Sequence, residues 1–184
     1  MQTITIVTGN QGKVRELEAL AAGTLKFGMK SLDLPEIQSL DLEEIVKDKL
    51  ERAYAELKVP VIVDDVSAGL DNLAGLPGPF IKFFNEKLGA EALYILAGRK
   101  EARVTITCLA GYYDGTTTLI GRGTIDGKVV SPRGKGGFGF DSVVIPDGHS
   151  RTMAEMSPEE KSEISHRGHA FRDLLDKLNH LPRS

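Results

Sequence analysis

The VIVDD segment at residues 61–65 constrains the fold more than any other part of the chain. Three consecutive β-branched apolar residues are typical of a strand that is covered on both faces, as in sheets with helices on either side. Pro60 stands directly before the run and stops the helical pattern that precedes it. Two acidic side chains are therefore predicted at the carboxyl end of a buried strand.

Hydrophobic periodicity divides the remaining chain into alternating strands and helices. In the first part of the chain, the predicted elements are a strand over 3–8, a loop over 9–13, a helix from Lys13, a strand around 25–29, a helix over 41–58 and a long loop over 66–80. The elements predicted after this loop are a helix bearing Leu88, Ala92, Leu93 and Leu96, a hairpin turning at 114–115 and ending near Ile120, and strands at 124–130 and 143–145. A helical region then begins with a capping box at Ser157. Because no repeat or linker interrupts this order, residues 1–184 are predicted to form a single α/β domain with a mixed sheet.

Charge and composition exclude several classes of protein. The 184 residues carry 26 acidic and 23 basic side chains, so no global positive field attracts a nucleic-acid polymer. The longest uninterrupted apolar stretch, 92–97, is far shorter than the roughly 20 residues that cross a bilayer, and the first residues lack a basic signal region. The single cysteine, Cys108, forms no internal disulfide. We expect a cytoplasmic protein without a membrane or polymeric nucleic-acid partner.

The TGNQGK segment at 8–13 is a candidate anion site. Its glycines allow a ligand to approach the backbone, and the following helix offers unpaired N–H groups with a positive dipole end. The segment lacks the glycine spacing and the Ser/Thr of a Walker motif, since Val14 follows Lys13. The alternative is a tight strand-to-helix turn with a surface lysine.

The acidic pair is a candidate metal or catalytic site. Adjacent side chains leave a strand in opposite directions, so one of Asp64 and Asp65 is expected to be functional and the other structural. Mg²⁺ commonly takes one or two carboxylates together with substrate phosphates, and Glu36 is a candidate second carboxylate. The alternative is that the two acids end the strand and cap a turn.

Two later segments could bind a nucleobase. In RGKGGFGFD at 133–141, Phe138 and Phe140 either stack on a base or pack in the core. Lys161 and the SHR segment at 165–167 could donate to a keto oxygen of a purine but not to an exocyclic amine. The alternative for SHR is an exposed helix start with solvated charges.

The motifs taken together resemble the inosine triphosphate pyrophosphatase family. They are TGNQGK at 8–13, LPEIQ at 34–38, VDD at 63–65, GLPGPFIKFF at 75–84, FGFD at 138–141, IPDG at 145–148, AEMSPEEK at 154–161 and SHR at 165–167. The resemblance implies a hydrolase that converts non-standard purine nucleoside triphosphates such as ITP, dITP and XTP into the monophosphate and pyrophosphate with Mg²⁺. It also implies a homodimer and an elongated mixed β-sheet flanked by helices, with two lobes and a nucleotide-binding cleft between them.

The resemblance assigns a role to each matching position. Asp65 would be the catalytic proton acceptor and, with Glu36, would hold the metal. Substrate contacts are implied for Thr8, Gly9, Asn10, Lys13, Lys49, Lys82, Phe138, Gly139, Phe140, Asp141, Lys161, His166 and Arg167.

Three positions depart from the family pattern. Val66 replaces a hydroxyl residue after the acidic pair, Ser142 replaces a proline, and Phe140 lacks the polar tip of tyrosine or tryptophan. Two alternatives stand beside the main hypothesis, and Val66 is the feature that raises the second. One is a pyrophosphatase for other modified or pyrimidine nucleotides, and the other is a nucleotide-binding protein with impaired catalysis.

Overall fold

Strands and helices alternate along most of the chain. A computed structural model describes residues 3–181. The elements are β1 (Thr3–Val7), α1 (Gln11–Ala21), β2 (Lys26–Lys30), α2 (Leu42–Leu57), β3 (Val61–Leu70), β4 (Pro77–Gly78), α3 (Ile81–Leu88), α4 (Ala92–Leu96), β5 (Ala102–Tyr113), β6 (Thr118–Val129), β7 (Val144–Pro146), α5 (Pro158–Ile164) and α6 (His166–Asn179). Among residues 3–181, no helix combines the length and the apolarity needed to cross a membrane.

The strands form one open, mixed sheet. Its order is β2-β1-β3-β5-β6-β7, with β4 paired to β3 off this path. β1 is parallel to β2 and to β3, whereas β4 is antiparallel to β3 and β7 is antiparallel to β6. The predicted α/β class with a mixed sheet and helices is confirmed.

The described residues cluster into two compact units. Unit 1 comprises the chain up to Asp65, Cys108–Gly123 and the chain from Arg167, and unit 2 comprises Val66–Thr107 and Thr124–His166. The chain passes between units within β3, β5 and β6 and again at the start of α6. That one domain covers 1–184 stays a prediction.

The core of unit 1 forms where α2 packs against strands. Buried apolar residues of α2 contact buried strand residues; the cluster comprises Leu42, Val46, Leu50, Ala53, Val61, Val63 and Leu109. Asp41 caps the helix, since its Oδ1 accepts from the Glu43 N–H at 2.8 Å. These contacts hold α2 against β3, where Lys49 of α2 meets Asp65.

Unit 2 has its own apolar core. It includes Ala68 and Leu70 of β3, Leu93 of α4, Ile106 of β5 and Phe140 of the FGFD segment. One of the candidate base-binding aromatics therefore belongs to the core.

The sequence-based prediction for residues 64–80 is wrong. β3 does not end at the acidic pair but continues to Leu70, because Ala68 and Gly69 pair with β4 after the pairing with β1 has ended. The expected irregular loop over 66–80 therefore contains the second half of β3, a 3₁₀ turn at Asp71–Leu73 and β4. Asp64 and Asp65 lie within the strand.

Three other boundaries differ from prediction. The first helix begins at Gln11 instead of Lys13, and the helix expected to carry Leu88 and Leu93 is divided into α3 and α4 at Gly89, whose φ of 78° leaves the helical region. The two strands expected near 120 and over 124–130 form one strand, β6. Gly121 lies inside this strand, and a Cβ there would lie 2.3 Å from the Ala170 carbonyl oxygen on α6. The glycine permits close helix packing.

Candidate functional site

The TGNQGK segment forms a capped helix start. The Thr8 N–H donates to the Lys30 carbonyl at 2.9 Å, and the Asn10 N–H donates to Thr8 Oγ1 at 3.1 Å. Asn10 Oδ1 accepts from the Gly12 N–H at 2.8 Å, which makes Asn10 the N-cap of α1. The first turn of α1 carries no acidic residue, so its positive dipole end is not neutralised locally.

Lys13, Asp64 and Arg167 form the first charged group, which we call the Asp64 group. Lys13 Nζ donates to both carboxylate oxygens of Asp64, at 2.9 and 2.8 Å, and Arg167 Nε donates to Oδ2 at 3.1 Å. The Asp64 side chain is only 3% exposed. All three residues belong to unit 1. A buried carboxylate therefore holds two cations that are distant in sequence.

The charges of the Asp64 group stabilise one another. Burial raises the pKa of Asp64, but Lys13 and Arg167 lower it more, so the pKa lies well below its usual value. Burial lowers the pKa of Arg167, but Asp64 and other nearby groups together raise it more. The carboxylate is ionised at neutral pH, and its charge fixes the positions of both cations.

Glu36, Lys49 and Asp65 form the second charged group, the Lys49 group, also in unit 1. Lys49 Nζ lies 2.8 Å from Glu36 Oε1 and 2.7 Å from Asp65 Oδ2. Burial lowers the pKa of Lys49, but Asp65 and Glu36 raise it more, so the net pKa is above its usual value. Two carboxylates thus converge on one position that a cation occupies.

Strand geometry explains why neighbouring acids join different groups. Asp64 and Asp65 are consecutive in β3, and side chains alternate between the two faces of a strand. Asp64 meets α1 and α6 through Lys13 and Arg167, whereas Asp65 meets α2 through Lys49. The expectation that the two acids point in opposite directions is confirmed.

The third group lies in unit 2 and combines aromatic and charged residues. We call it the aromatic group, and its members are Phe138, Gly139, Phe140, Asp141, Lys161 and His166. The buried Asp141 accepts from the Phe138 N–H at 2.8 Å and from Lys161 Nζ. Lys161 Nζ also lies 4.4 Å from the centre of the Phe138 ring. One carboxylate thereby fixes both the loop and the lysine.

The two phenylalanines have different environments. Phe138 is 45% exposed, whereas Phe140 is 7% exposed and its ring centre lies 5.9 Å from that of His166. Positive φ angles at Gly137 and Gly139 prevent an extended segment, so the two rings do not share one direction. Phe140 is a core residue, and Phe138 is the one that presents a ring surface.

The SHR segment is buried. Ser165, His166 and Arg167 are 1%, 2% and 5% exposed, so the alternative of a solvated helix start is wrong. The predicted capping box is present: Ser157 and Glu160 cap α5, which ends one residue before Ser165, and α6 begins at His166. This sharp junction between two helices places the segment in the interior.

Two further positions bear on the sequence-based assignments. Lys82 is exposed on α3, with its Nζ 6.0 Å from the Phe83 ring centre. Val66, where the family pattern has a hydroxyl, is half-buried and packs against the core of unit 2. Its apolar side chain therefore has a packing role in this chain.

Sequence reasoning missed the ion-pair partners of Asp64. Alternation predicts that Asp64 and Asp65 take opposite faces of the strand, but Lys13 and Arg167 are 51 and 103 residues away from Asp64 in sequence. No local pattern pairs such distant charges. Only the packing of α1 and α6 on the sheet brings them to one carboxylate.

Comparisons with known proteins agree along nearly the whole chain. A model of the Ham1 family matches residues 4–177. The inosine triphosphate pyrophosphatase 2 of Trypanosoma cruzi is 44% identical over 172 residues, which cover 91% of this chain and 88% of that protein. The inosine triphosphate pyrophosphatase of Schizosaccharomyces pombe is 38% identical, with 97% and 96% covered. The structure of the Staphylococcus aureus Ham1 protein superposes with a TM-score of 0.81 at 27% identity, covering 97% of this chain and 98% of that one.

Proposed function

The chain belongs to the Ham1 family, and we propose that it is a pyrophosphatase that hydrolyses ITP, dITP and XTP to the nucleoside monophosphate and pyrophosphate, using Mg²⁺. The observation that carries the proposal is the Lys49 group, in which Glu36 and Asp65 converge on one cation position. Two carboxylates and substrate phosphates are the oxygen ligands that Mg²⁺ commonly takes. Relatives named inosine triphosphate pyrophosphatase support the substrate class.

Glu36 and Asp65 fit a divalent cation. Both are carboxylates with a side chain that is about a quarter exposed or less, and both already face one positive charge. When bound, Mg²⁺ would neutralise phosphate oxygens at the reacting centre. The fit rests on the convergence of these two oxygens in unit 1.

We assign the chemical step to Asp65. Its carboxylate accepts the proton of a water molecule as that water attacks the α-phosphorus, and the bond from this phosphorus to the bridging oxygen breaks. The bond electrons leave with pyrophosphate, and the monophosphate retains the new oxygen. The phosphates bind at the start of α1, which carries Thr8, Gly9 and Asn10. They also bind the ammonium groups of Lys13, Lys49 and Lys82, and Asp64 holds Lys13 in place.

We assign base recognition to the aromatic group and Arg167. Phe138 offers a ring surface for stacking, while Gly139, Phe140, Asp141 and Lys161 shape and fix the loop around it. His166 and Arg167 donate to the purine 6-oxygen. Adenine carries an amine at that position, which would leave buried donors unpaired at a cost of roughly 1 to 3 kcal/mol each.

A nucleotide panel tests the function directly. Release of pyrophosphate and monophosphate in equal amounts is measured for ITP, XTP, GTP, ATP and dUTP with Mg²⁺. ITP and XTP are expected to have the highest kcat/KM. A preference for dUTP or another modified nucleotide would favour the alternative pyrophosphatase, and binding of ITP without turnover would favour a binding protein, the alternative that Val66 motivates.

Assembly and cellular location belong to the same proposal. We expect a homodimer in the cytoplasm that acts on free nucleotides and does not bind polymeric nucleic acid. Light scattering after size-exclusion chromatography measures the mass in solution. A mass of 20.0 kDa, that of one chain, would contradict the dimer.

A further inference from the structure

Lys49 occupies the position between the two carboxylates that are proposed to bind metal. Its Nζ lies within 2.8 Å of both Glu36 and Asp65, and only 15% of its side chain is exposed. Lys47, on the same helix, differs sharply: it is 53% exposed and pairs with Glu43 one helical turn away. Helix α2 therefore carries one lysine on its surface and one inside the carboxylate pair.

A metal ion and this ammonium group compete for the same oxygens. At such distances two cations repel strongly in a partly buried site, because the effective dielectric constant there is well below that of water. The carboxylates cannot form full ligand bonds to a metal while Lys49 occupies the space between them. Lys49 must move before a divalent cation can bind to both oxygens.

We propose that Lys49 is an internal competitor for the metal site, which keeps the protein's own affinity for divalent cations low until a phosphate accepts its ammonium group. Only one part of this inference rests on the proposed function, namely that a phosphate of the nucleotide accepts the ammonium group of Lys49. Lys49 neutralises Glu36 and Asp65 in the ligand-free protein and transfers to the triphosphate when the nucleotide binds. Metal and nucleotide then bind cooperatively, since each favours the displaced position of the same side chain.

The first test measures metal binding without nucleotide. Mn²⁺ is titrated into the wild-type protein, Lys49→Met and Lys49→Gln, with the free ion measured by electron paramagnetic resonance, and Mg²⁺ binding is measured by calorimetry. Both variants are expected to bind either metal at least about tenfold more tightly than wild type, because the competing charge is gone. Equal or weaker binding would overturn the proposal.

Lys47→Met is the matched control. It removes one positive charge from the same helix and leaves the partners of Lys49 in place. Its metal affinity is expected to stay within about twofold of wild type, since exposed charges are screened. If this variant gains as much affinity as Lys49→Met, the effect is one of net charge and the proposal fails.

The second test measures coupling to the nucleotide. A non-hydrolysable α,β-imido analogue of ITP is expected to tighten Mn²⁺ binding more in wild type than in Lys49→Met, because only wild type has an ammonium group to displace. Equal tightening in both proteins would overturn the transfer of the Lys49 ammonium group to the nucleotide phosphate. If the analogue does not bind wild type at all, the proposed function fails while the metal-only comparison still decides the role of Lys49.

Thermal unfolding guards against a folding defect. Without Lys49 the two carboxylates repel each other, so the variants are expected to have a lower Tm than wild type. Mg²⁺ is expected to raise the Tm of the variants more than it raises the Tm of wild type. Variants that remain unfolded at saturating Mg²⁺ would contradict the proposal, since the metal would then not replace the ammonium group.

Discussion

The two units present different chemistry. Unit 1 contains three carboxylates and three cations in two adjoining groups, and the buried Asp64 alone binds two of the cations. The aromatic group of unit 2 contains one acid–lysine pair, one exposed ring and one core ring around a glycine-rich loop. Ion pairs hold the two groups of unit 1 together, whereas the aromatic group combines one ion pair with core packing and with the backbone conformation of its glycines. Substitutions should therefore act through electrostatics in unit 1 and through surface and shape in unit 2.

The largest effect is expected for Asp64→Asn. This change leaves Lys13 and Arg167 without their shared carboxylate, and breaking a buried ion pair commonly costs about 3 to 5 kcal/mol. The free energy of unfolding, measured by urea denaturation, should fall by about 3 kcal/mol. Turnover per folded molecule should fall less than in Asp65→Asn, because Asp64 does not contact the reacting atoms.

Asp147→Asn is the control for that prediction. Asp147 also binds an arginine through two hydrogen bonds, at 2.7 Å each, but its side chain is 54% exposed. It should lose far less stability, because exposed ion pairs are screened by water. If both variants lose the same amount, burial is not what distinguishes the Asp64 group.

The next effect concerns Asp65→Asn. Removing a general base typically lowers the rate about 10²-fold or more, and this variant also loses a carboxylate of the cation position. We expect kcat for ITP to fall by at least about 10²-fold while circular dichroism remains that of wild type. Asp48→Asn, which removes a carboxylate paired to Arg52 on α2, should retain its activity. An unchanged kcat in Asp65→Asn would remove Asp65 from the chemical step.

A smaller effect is expected for Lys13→Ala. An ammonium near the β- or γ-phosphate has no partner in the monophosphate product. KM for ITP should rise about tenfold or more, while the inhibition constant of IMP should change less. The two constants are measured on the same variant, so any general damage affects both. Equal losses would place Lys13 away from the terminal phosphates.

The smallest effect is expected for Phe138→Ala in unit 2. The ring is 45% exposed, so its loss should change the Tm little, whereas base stacking is worth about 1 kcal/mol or more. KM for ITP should rise about fivefold, and binding of inorganic pyrophosphate should not change. If pyrophosphate binding weakens equally, the ring does not act on the base, and the contrast between the units disappears.

Much of the fold could be predicted because local signals agreed with the tertiary structure. The helix predicted over 41–58 and the capping box predicted at Ser157 both form as expected. Predictions failed where pairing overrode propensity, as in β3, which continues through residues that resemble a loop because β4 pairs with it. β6 continues through Gly121, where the absence of a side chain lets α6 approach the strand closely.

The sequence by itself determined which residue types were available and that the two acids would take opposite faces of β3, because strand alternation depends only on neighbours along the chain. Tertiary structure alone decided which cations meet each acid: Lys13 and Arg167 meet Asp64, and Lys49 meets Asp65. It also decided that Phe140 is buried and Phe138 is exposed. Ion pairs and burial depend on distances between segments far apart in sequence, which are set only when helices pack on the sheet.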